Sequence, residues 1–166
     1  VKFKSRFFIF ILTNGGTKMK LIRTKEEHIK ELVRISKEAF DSDVSVGAKE
    51  SGGPPEYDNI DWHIQMMKEG HLLTAFHDNK IVGGIIIFPE EKSSFMYVGR
   101  IFVDPIHFRK GYGIAIMEEI EKMYSDISTW MLDTPAWNIR TNSFYKKIGY
   151  FEKKRDEGEV VYQKDK

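Results

Sequence analysis

The first feature that points to chemistry is a basic turn with two glycines, Arg109-Lys110-Gly111-Tyr112-Gly113-Ile114. The run before it, 97–103, is rich in β-branched and aromatic residues, as strands are. The run after it, 114–124, carries apolar residues at helical spacing. A strand, a glycine turn and a helix start aim several backbone N–H groups at one spot, where the helix dipole adds positive charge. The turn is therefore predicted to bind an anion, phosphate above all.

The turn does not match the common nucleotide-binding motifs. A dinucleotide fingerprint needs a third glycine where Ile116 stands, and a P-loop needs Ser or Thr directly after its lysine. A purely structural turn is the alternative, because glycine tolerates positive φ.

Composition indicates one soluble globular domain of 166 residues, with 41% hydrophobic and 31% charged residues. The absence of cysteine excludes disulfides, thiolate zinc sites and a cysteine nucleophile. The five histidines show no metal-ligand spacing, so no metal is expected.

Residues 1–18 differ from the rest, with four cations, no acid and a short apolar run at 7–12. That run is too short for a signal peptide or a membrane span. We interpret residues 1–18 as a non-native or upstream-translated extension, and 19–166 as the single domain of a cytoplasmic bacterial protein. Without the extension the net charge of +1 becomes negative, so neither a nucleic acid nor a membrane is an expected partner.

The order of elements predicts an α/β fold with a mixed sheet, in which an antiparallel first half precedes a β-α-β-α-β second half. Thr24 and Glu27 have the pattern of a capping box at the first helix, and Asp78-Asn79 predicts a hairpin turn. Predicted strands are 20–23, 71–76, 81–88, 94–103, 129–132, 150–153 and 160–163; predicted helices follow Thr24 and span 59–69, 114–124 and 138–148.

Two motifs resemble the GNAT family of acetyl-coenzyme A-dependent N-acetyltransferases. The glycine turn and its strand are close to the family's R/Q-x-x-G-x-G/A. A second stretch places Asn138 seven residues before Tyr145, with Gly149 and Tyr150 following, close to N-x-x-A-x-x-F-Y-x-K-x-G-F. The motifs have the family's order and separation, and the resemblance covers 20–163. It implies a GNAT-like acyl-CoA N-acyltransferase fold.

The resemblance also implies acetyl-CoA as co-substrate. Its pyrophosphate would lie on the amides of 109–114. Its pantetheine arm would run beside the strand Ile101-Phe102-Val103 as an extra strand, bonded by main-chain groups of Ile101 and Val103. A backbone N–H of this strand would stabilise the oxyanion.

Two later residues match family residues with a role in binding and catalysis. Asn138 resembles the residue that bonds the pantetheine, although a helix cap is the alternative interpretation. Tyr145 matches the general acid that protonates the departing thiolate, whose pKa of about 8.5 makes modest assistance sufficient. Gly149 is predicted to end the same helix.

The sequence departs from the family pattern at two positions. Phe108 stands where Gln or Arg is usual, so Arg109 is expected to supply the charge. Gly99 stands where many members carry a glutamate base. The sequence therefore leaves the identity of the general base undecided. Asp133 is the first choice, and His107, Glu90 and a water chain are the alternatives.

The predicted function is transfer of acetyl from acetyl-CoA to a primary amine of an unidentified small-molecule or peptide acceptor, by direct attack in a ternary complex. Alternatives are a non-catalytic acyl-CoA sensor or regulatory domain, and a purely structural or protein-binding domain. A homodimer is possible. Acidic residues of the region before the first hairpin could attract a cationic amine: Asp41, Asp43, Glu50, Glu56, Asp58 and Asp61.

Overall fold

A seven-stranded mixed sheet organises residues 19–166, the part of the chain that the computed structural model describes. The interpretation of residues 1–18 lies outside the described residues. The strands are β1 Met19–Arg23, β2 Leu72–His77, β3 Lys80–Glu90, β4 Phe95–Val103, β5 Thr129–Pro135, β6 Phe151–Arg155 and β7 Glu159–Asp165. The helices are α1 Ile29–Asp41, α2 Ile60–Lys68, α3 Tyr112–Met123 and α4 Ile139–Lys147.

The strand order is β1-β2-β3-β4-β5-β7-β6. Every neighbouring pair is antiparallel except β4 and β5, which are parallel and joined through α3. The mixed α/β sheet predicted from the sequence is confirmed. Asp78 and Asn79 form the turn between β2 and β3 with φ of 49° and 60°, as hairpins of this type require.

The sheet opens between β4 and β5. The two strands pair only from Phe95 with Thr129 to Tyr97 with Met131. Beyond that point β4 stays paired with β3, and β5 stays paired with β7 as far as Pro135. We call the opening between 98–103 and 132–135 the split. Its β4 side is a strand edge with unpaired backbone groups.

A β-bulge at Gly99 interrupts β4 beside the split. Ile86 pairs with Arg100 and Ile87 with Val98, so Gly99 is the extra residue. A Cβ on Gly99 would lie 2.6 Å from Cε2 of Phe88, which explains why no larger side chain stands there. A glutamate at this position would displace Phe88.

The sheet is covered on both faces. On one face, residues of α3 and Tyr145 of α4 pack against the sheet in one core cluster. On the other face, residues of α1 and α2 pack against the sheet in a second cluster. Val98 and Phe102 would share a face of a regular strand. Because the bulge lies between them, Val98 packs in the first cluster and Phe102 in the second. No helix within 19–166 is long and apolar enough to cross a membrane.

The capping box predicted at Thr24 is wrong. The Thr24 hydroxyl lies 2.8 Å from that of Thr74 on β2, so it bonds across the sheet and does not cap the helix. The helical segment begins one residue later, where the N–H of Lys25 donates to Nδ1 of His28 at 3.2 Å. Tertiary pairing of two buried hydroxyls outweighs the local cap.

Replacement of Gly83 by alanine tests the close approach of β3 and β4. A Cβ on Gly83 would lie 2.3 Å from the backbone oxygen of Phe102, which cannot move without the sheet. We expect Gly83→Ala to lower the free energy of unfolding in urea by about 2 kcal/mol. Gly158→Ala is the control, because its Cβ would meet only Oδ1 of Asp156 at 3.5 Å. Equal losses in the two variants would contradict this account.

Candidate active site

Four backbone N–H groups of the glycine turn have no acceptor among residues 19–166. Gly111 is the N-cap of α3 with φ of 81°, and a Cβ there would meet nothing within 4 Å, so conformation alone requires glycine. The first bond of the helix runs from the N–H of Ala115 to the oxygen of Gly111. Within 19–166 the N–H groups of 111–114 therefore remain available to a ligand.

Cations and aromatic packing complete this turn. The side chains of Arg109 and Lys110 are exposed beside the free amides. Tyr112, the first residue of α3, packs between the rings of His77 and His107, at centroid distances of 4.6 and 5.2 Å. The helix start is thus held in place, and its dipole, amides and cations suit an anion.

Phe108 has a structural role that explains its departure from the family pattern. Its ring packs against the cluster formed by α1 and α2, and the guanidinium of Arg140 lies 4.7 Å from its centroid. Arg140 in turn bonds Asp43 at 2.6 Å. Phe108 therefore supports a contact between α4 and the loop after α1.

Asn138 both caps α4 and keeps a free donor. Its Oδ1 accepts from the N–H of Thr141 at 3.1 Å, which confirms the helix cap. The residue is only 1% exposed, and its backbone oxygen accepts from Nδ2 of Asn142 at 2.7 Å. Among the described residues, none accepts a hydrogen bond from Nδ2 of Asn138, so that amide can bind a ligand.

Tyr145 lies buried in the cluster of α3 and α4. Its ring packs against those of Phe144, Tyr150 and Tyr162, and no described residue hydrogen-bonds its hydroxyl. Burial raises its pKa well above the ordinary value, and the nearby charge of Asp133 raises it further. The hydroxyl is therefore protonated at neutral pH and can donate. Gly149, with φ of 93°, follows the end of this helix as predicted.

Asp133 reaches the split from β5 and accepts a hydrogen bond from the hydroxyl of Tyr97. Burial raises the pKa of Tyr97, and the bond to Asp133 raises it further. Leu132 belongs to the cluster of α3 and α4, so alternation places Asp133 on the opposite face. The Tyr97 ring lies near Phe88, which belongs to that opposite face.

The split is therefore lined differently on its two faces. Tyr145 lies on the α3 and α4 face, and the Tyr97–Asp133 pair on the α1 and α2 face. The charge of Asp133 contributes to the raised pKa of both tyrosines. A carbonyl held in the split would have a proton donor on one side and a proton acceptor on the other.

The other candidate bases occupy different surroundings. Glu90 ends β3, where it pairs with Phe95 and accepts from the Ser93 hydroxyl at 2.7 Å. His107 packs in the turn after β4. Sequence reasoning missed Tyr97, although its place two residues before Gly99 on β4 was a usable signal.

The acidic region before the first hairpin is partly neutralised within the fold. Asp41 bonds Lys37 at 2.5 Å and the Tyr57 hydroxyl at 2.8 Å, and Asp43 bonds Arg140. These two carboxylates are therefore poorly placed to attract an amine, contrary to the expectation from sequence.

Arg100 fixes the same loop to the sheet. Its guanidinium lies 4.2 Å from the Trp62 ring centroid and donates to the backbone oxygen of Pro55. The loop at 52–57 therefore lies over the α1 and α2 face of β4, on the same side as Asp133.

A groove of about 340 Å³ runs between α3, α4 and β7. It starts at Ile114, the last residue with a free amide, and Lys147 stands on its α4 side. Glu121 lies in the same groove and is held by Lys164 at 2.9 Å. The groove leads from the anion site away from the split.

Comparison with known proteins identifies the class. The model of the Acetyltransferase (GNAT) family matches residues 29–150, and the chain belongs to that family. Among solved structures, the fold is similar to PaiA N-acetyltransferase from Thermoplasma acidophilum in complex with coenzyme A (TM-score 0.76, 17% identity, 90% of this chain and 99% of that one). It is also similar to a GNAT acetyltransferase from Streptococcus agalactiae (TM-score 0.77, 15% identity, 89% and 95% covered). The predicted GNAT-like fold is confirmed.

One curated relative has been matched by sequence. UPF0039 protein C11D3.02c of Schizosaccharomyces pombe is 28% identical to this chain over 100 residues, which are 58% of this chain. The match spans 61% of the length of that yeast protein.

Asn138→Ser separates the cap from the ligand contact. Serine caps a helix as well as asparagine does but lacks the amide donor, so we expect stability to change by less than about 0.5 kcal/mol. The KM for acetyl-CoA should rise about 5- to 10-fold, because one hydrogen bond contributes about 1 to 1.5 kcal/mol. Asn59→Ser is the control: Asn59 caps α2 through the N–H of Trp62 at 3.0 Å. If both variants leave KM unchanged, Asn138 is a cap and nothing more.

Proposed function

We propose that this protein transfers an acetyl group from acetyl-CoA to a primary amine by direct attack in a ternary complex. The observation that carries the proposal is the split, which has free amides at its open end, Tyr145 on one face and Asp133 on the other. Membership of the GNAT family supports acyl transfer from coenzyme A.

Acetyl-CoA would bind from the turn into the split. The amides of 111–114, with Arg109 and Lys110, would hold the pyrophosphate. The pantetheine arm would pair with the open edge of β4 at Ile101 and Val103, as an added strand does. Phe102 contributes no side chain there, because its ring is buried on the other face, and the register of β3 and β4 turns its main-chain groups toward β3.

The amide of Asn138 would bind a carbonyl of the pantetheine arm from the opposite side. Its Nδ2 is the donor that the fold leaves unused, and its position is fixed by the cap to Thr141. The coenzyme A bound by the PaiA neighbour supports this kind of ligand. The groove beginning at Ile114 would accept the nucleotide end, with Lys147 beside its phosphate.

The reaction needs one bond made and one broken. The amine nitrogen attacks the thioester carbonyl, and a backbone N–H near the bulge of β4 stabilises the oxyanion. The carbon–sulfur bond then breaks, and Tyr145 gives its proton to the thiolate. The nitrogen loses its proton toward Asp133. Acid and base groups of this kind each contribute about 10²- to 10⁴-fold in rate.

The first test is an acceptor panel. Acetyl-CoA is titrated by calorimetry, and free thiol is measured with spermidine, lysine, glucosamine and a tetrapeptide with a free N-terminus. Binding together with thiol release and an acetylated amine supports the proposal. Binding without release across the panel contradicts transfer and favours an acyl-CoA sensor. Absence of binding contradicts both functions.

Tyr145→Phe tests the general acid. The substitution removes one hydroxyl that has no hydrogen bond among the described residues, so the fold should be retained. We expect kcat to fall about 10²-fold and the Kd of acetyl-CoA to stay within twofold of the wild type. An unchanged kcat would remove Tyr145 from the mechanism.

A further inference from the structure

Tyr97 is the one tyrosine that stands where β4 and β5 separate. It is the last residue of β4 that pairs with β5, through Met131, and its hydroxyl donates to Asp133 across the two strands. The proposed function uses Asp133 but leaves this hydroxyl without a task. Its place between the carboxylate and the split makes it a candidate for contact with the acceptor.

We propose that Tyr97 is a second catalytic tyrosine, whose hydroxyl oxygen takes the proton of the attacking amine while its own proton passes to Asp133. The inference rests on the proposed function and adds a residue that touches the reacting nitrogen. Tyr145 serves the leaving sulfur from the other face, so the two tyrosines have opposite tasks.

Hydrogen-bond capacity supports this assignment. A tyrosine hydroxyl has one proton and two acceptor sites, and the proton of Tyr97 is given to Asp133. The oxygen therefore remains free to accept an N–H. Asp133 is exposed, and no cation within the described part of the chain pairs with it, so its carboxylate can take up a proton.

Electrostatics agrees with a relay. Burial is the main cause of the raised pKa of Tyr97. The hydrogen bond to Asp133 and the charge of Asp133 raise it further, and the charge of Glu159 adds a smaller effect. Tyr97 is therefore neutral at ordinary pH and does not act as a standing tyrosinate base. The Asp133 carboxylate beside its oxygen also attracts a cationic acceptor, whose ammonium group gives one proton to solvent before the free amine attacks.

The proton balance is complete with these groups. As the carbon–nitrogen bond forms, the nitrogen becomes a far stronger acid and releases one proton to the Tyr97 oxygen. The Tyr97 proton moves to Asp133, which later returns it to solvent. Tyr145 protonates the sulfur and is reprotonated by solvent. No further reactant is needed.

Three variants test the relay: Tyr97→Phe, Asp133→Asn and the double variant, assayed with acetyl-CoA and the best amine of the panel. We expect each single variant to lower kcat about 10²-fold. The double variant should be no slower than the slower single one, because the two groups act on one proton. The pH profile of kcat/KM should differ between Tyr97→Phe and wild type, because the variant lacks the hydroxyl through which the proton leaves the amine.

Tyr150→Phe is the matched control. The Tyr150 hydroxyl also bonds a carboxylate, that of Glu121 at 3.3 Å, but on the α3 side outside the split. Its removal should change the urea midpoint and leave the pH dependence of kcat/KM as in wild type. Incorporation of 3-fluorotyrosine at position 97 keeps the ring and hydroxyl but makes the phenol more acidic. A relay then shifts the pH profile, whereas a purely structural hydroxyl leaves it unchanged.

The outcomes separate this inference from the function on which it rests. A normal kcat and pH profile in Tyr97→Phe overturns the relay while transfer stands. A slow Asp133→Asn with a normal Tyr97→Phe makes Asp133 the direct base, which also overturns it. A wild-type chain that transfers acetyl to no amine of the panel overturns the function and the relay together.

Discussion

The early end of pairing between β4 and β5 is the constraint on which the site depends. After Tyr97 and Met131 the two strands no longer bond each other, although each remains bonded on its other side. Buried backbone groups normally find partners. The open edge of β4 therefore favours a ligand that can pair as a strand, and a thioester arm with amide groups has that property.

The parallel arrangement of β4 and β5 places two helix starts at the same opening. Each strand is followed by a helix, so α3 and α4 both begin at the carboxyl ends of the strands. Within 19–166, Gly111 begins α3 with backbone N–H groups that have no acceptor, and Asn138 begins α4 with a side-chain Nδ2 that has none. A ligand that binds the N-terminus of α3 and also contacts the N-terminus of α4 is aligned by two rigid helices.

Local patterns predicted what depends on local geometry. The glycine turn and the pair Asn138 and Tyr145 lie within single strand–turn–helix units, so spacing and the family resemblance were enough to propose them as site residues. Long-range contacts were beyond such reasoning. Thr24 bonds Thr74, fifty positions away in the chain, and the capping pattern at Thr24 therefore failed. Tyr97 and Asp133 meet across 36 positions for the same reason.

The absence of an acid on β4 follows from packing and has a consequence for the proton path. Phe88 fills the space where a side chain on Gly99 would lie, so β4 cannot supply a carboxylate at its bulge. The proposed base is instead the carboxylate of Asp133 on β5, on the far side of the split from β4. Tyr97 spans that separation with a hydroxyl. In the relay proposed here, Tyr97 is the group on β4 that carries the proton to a base on the neighbouring strand.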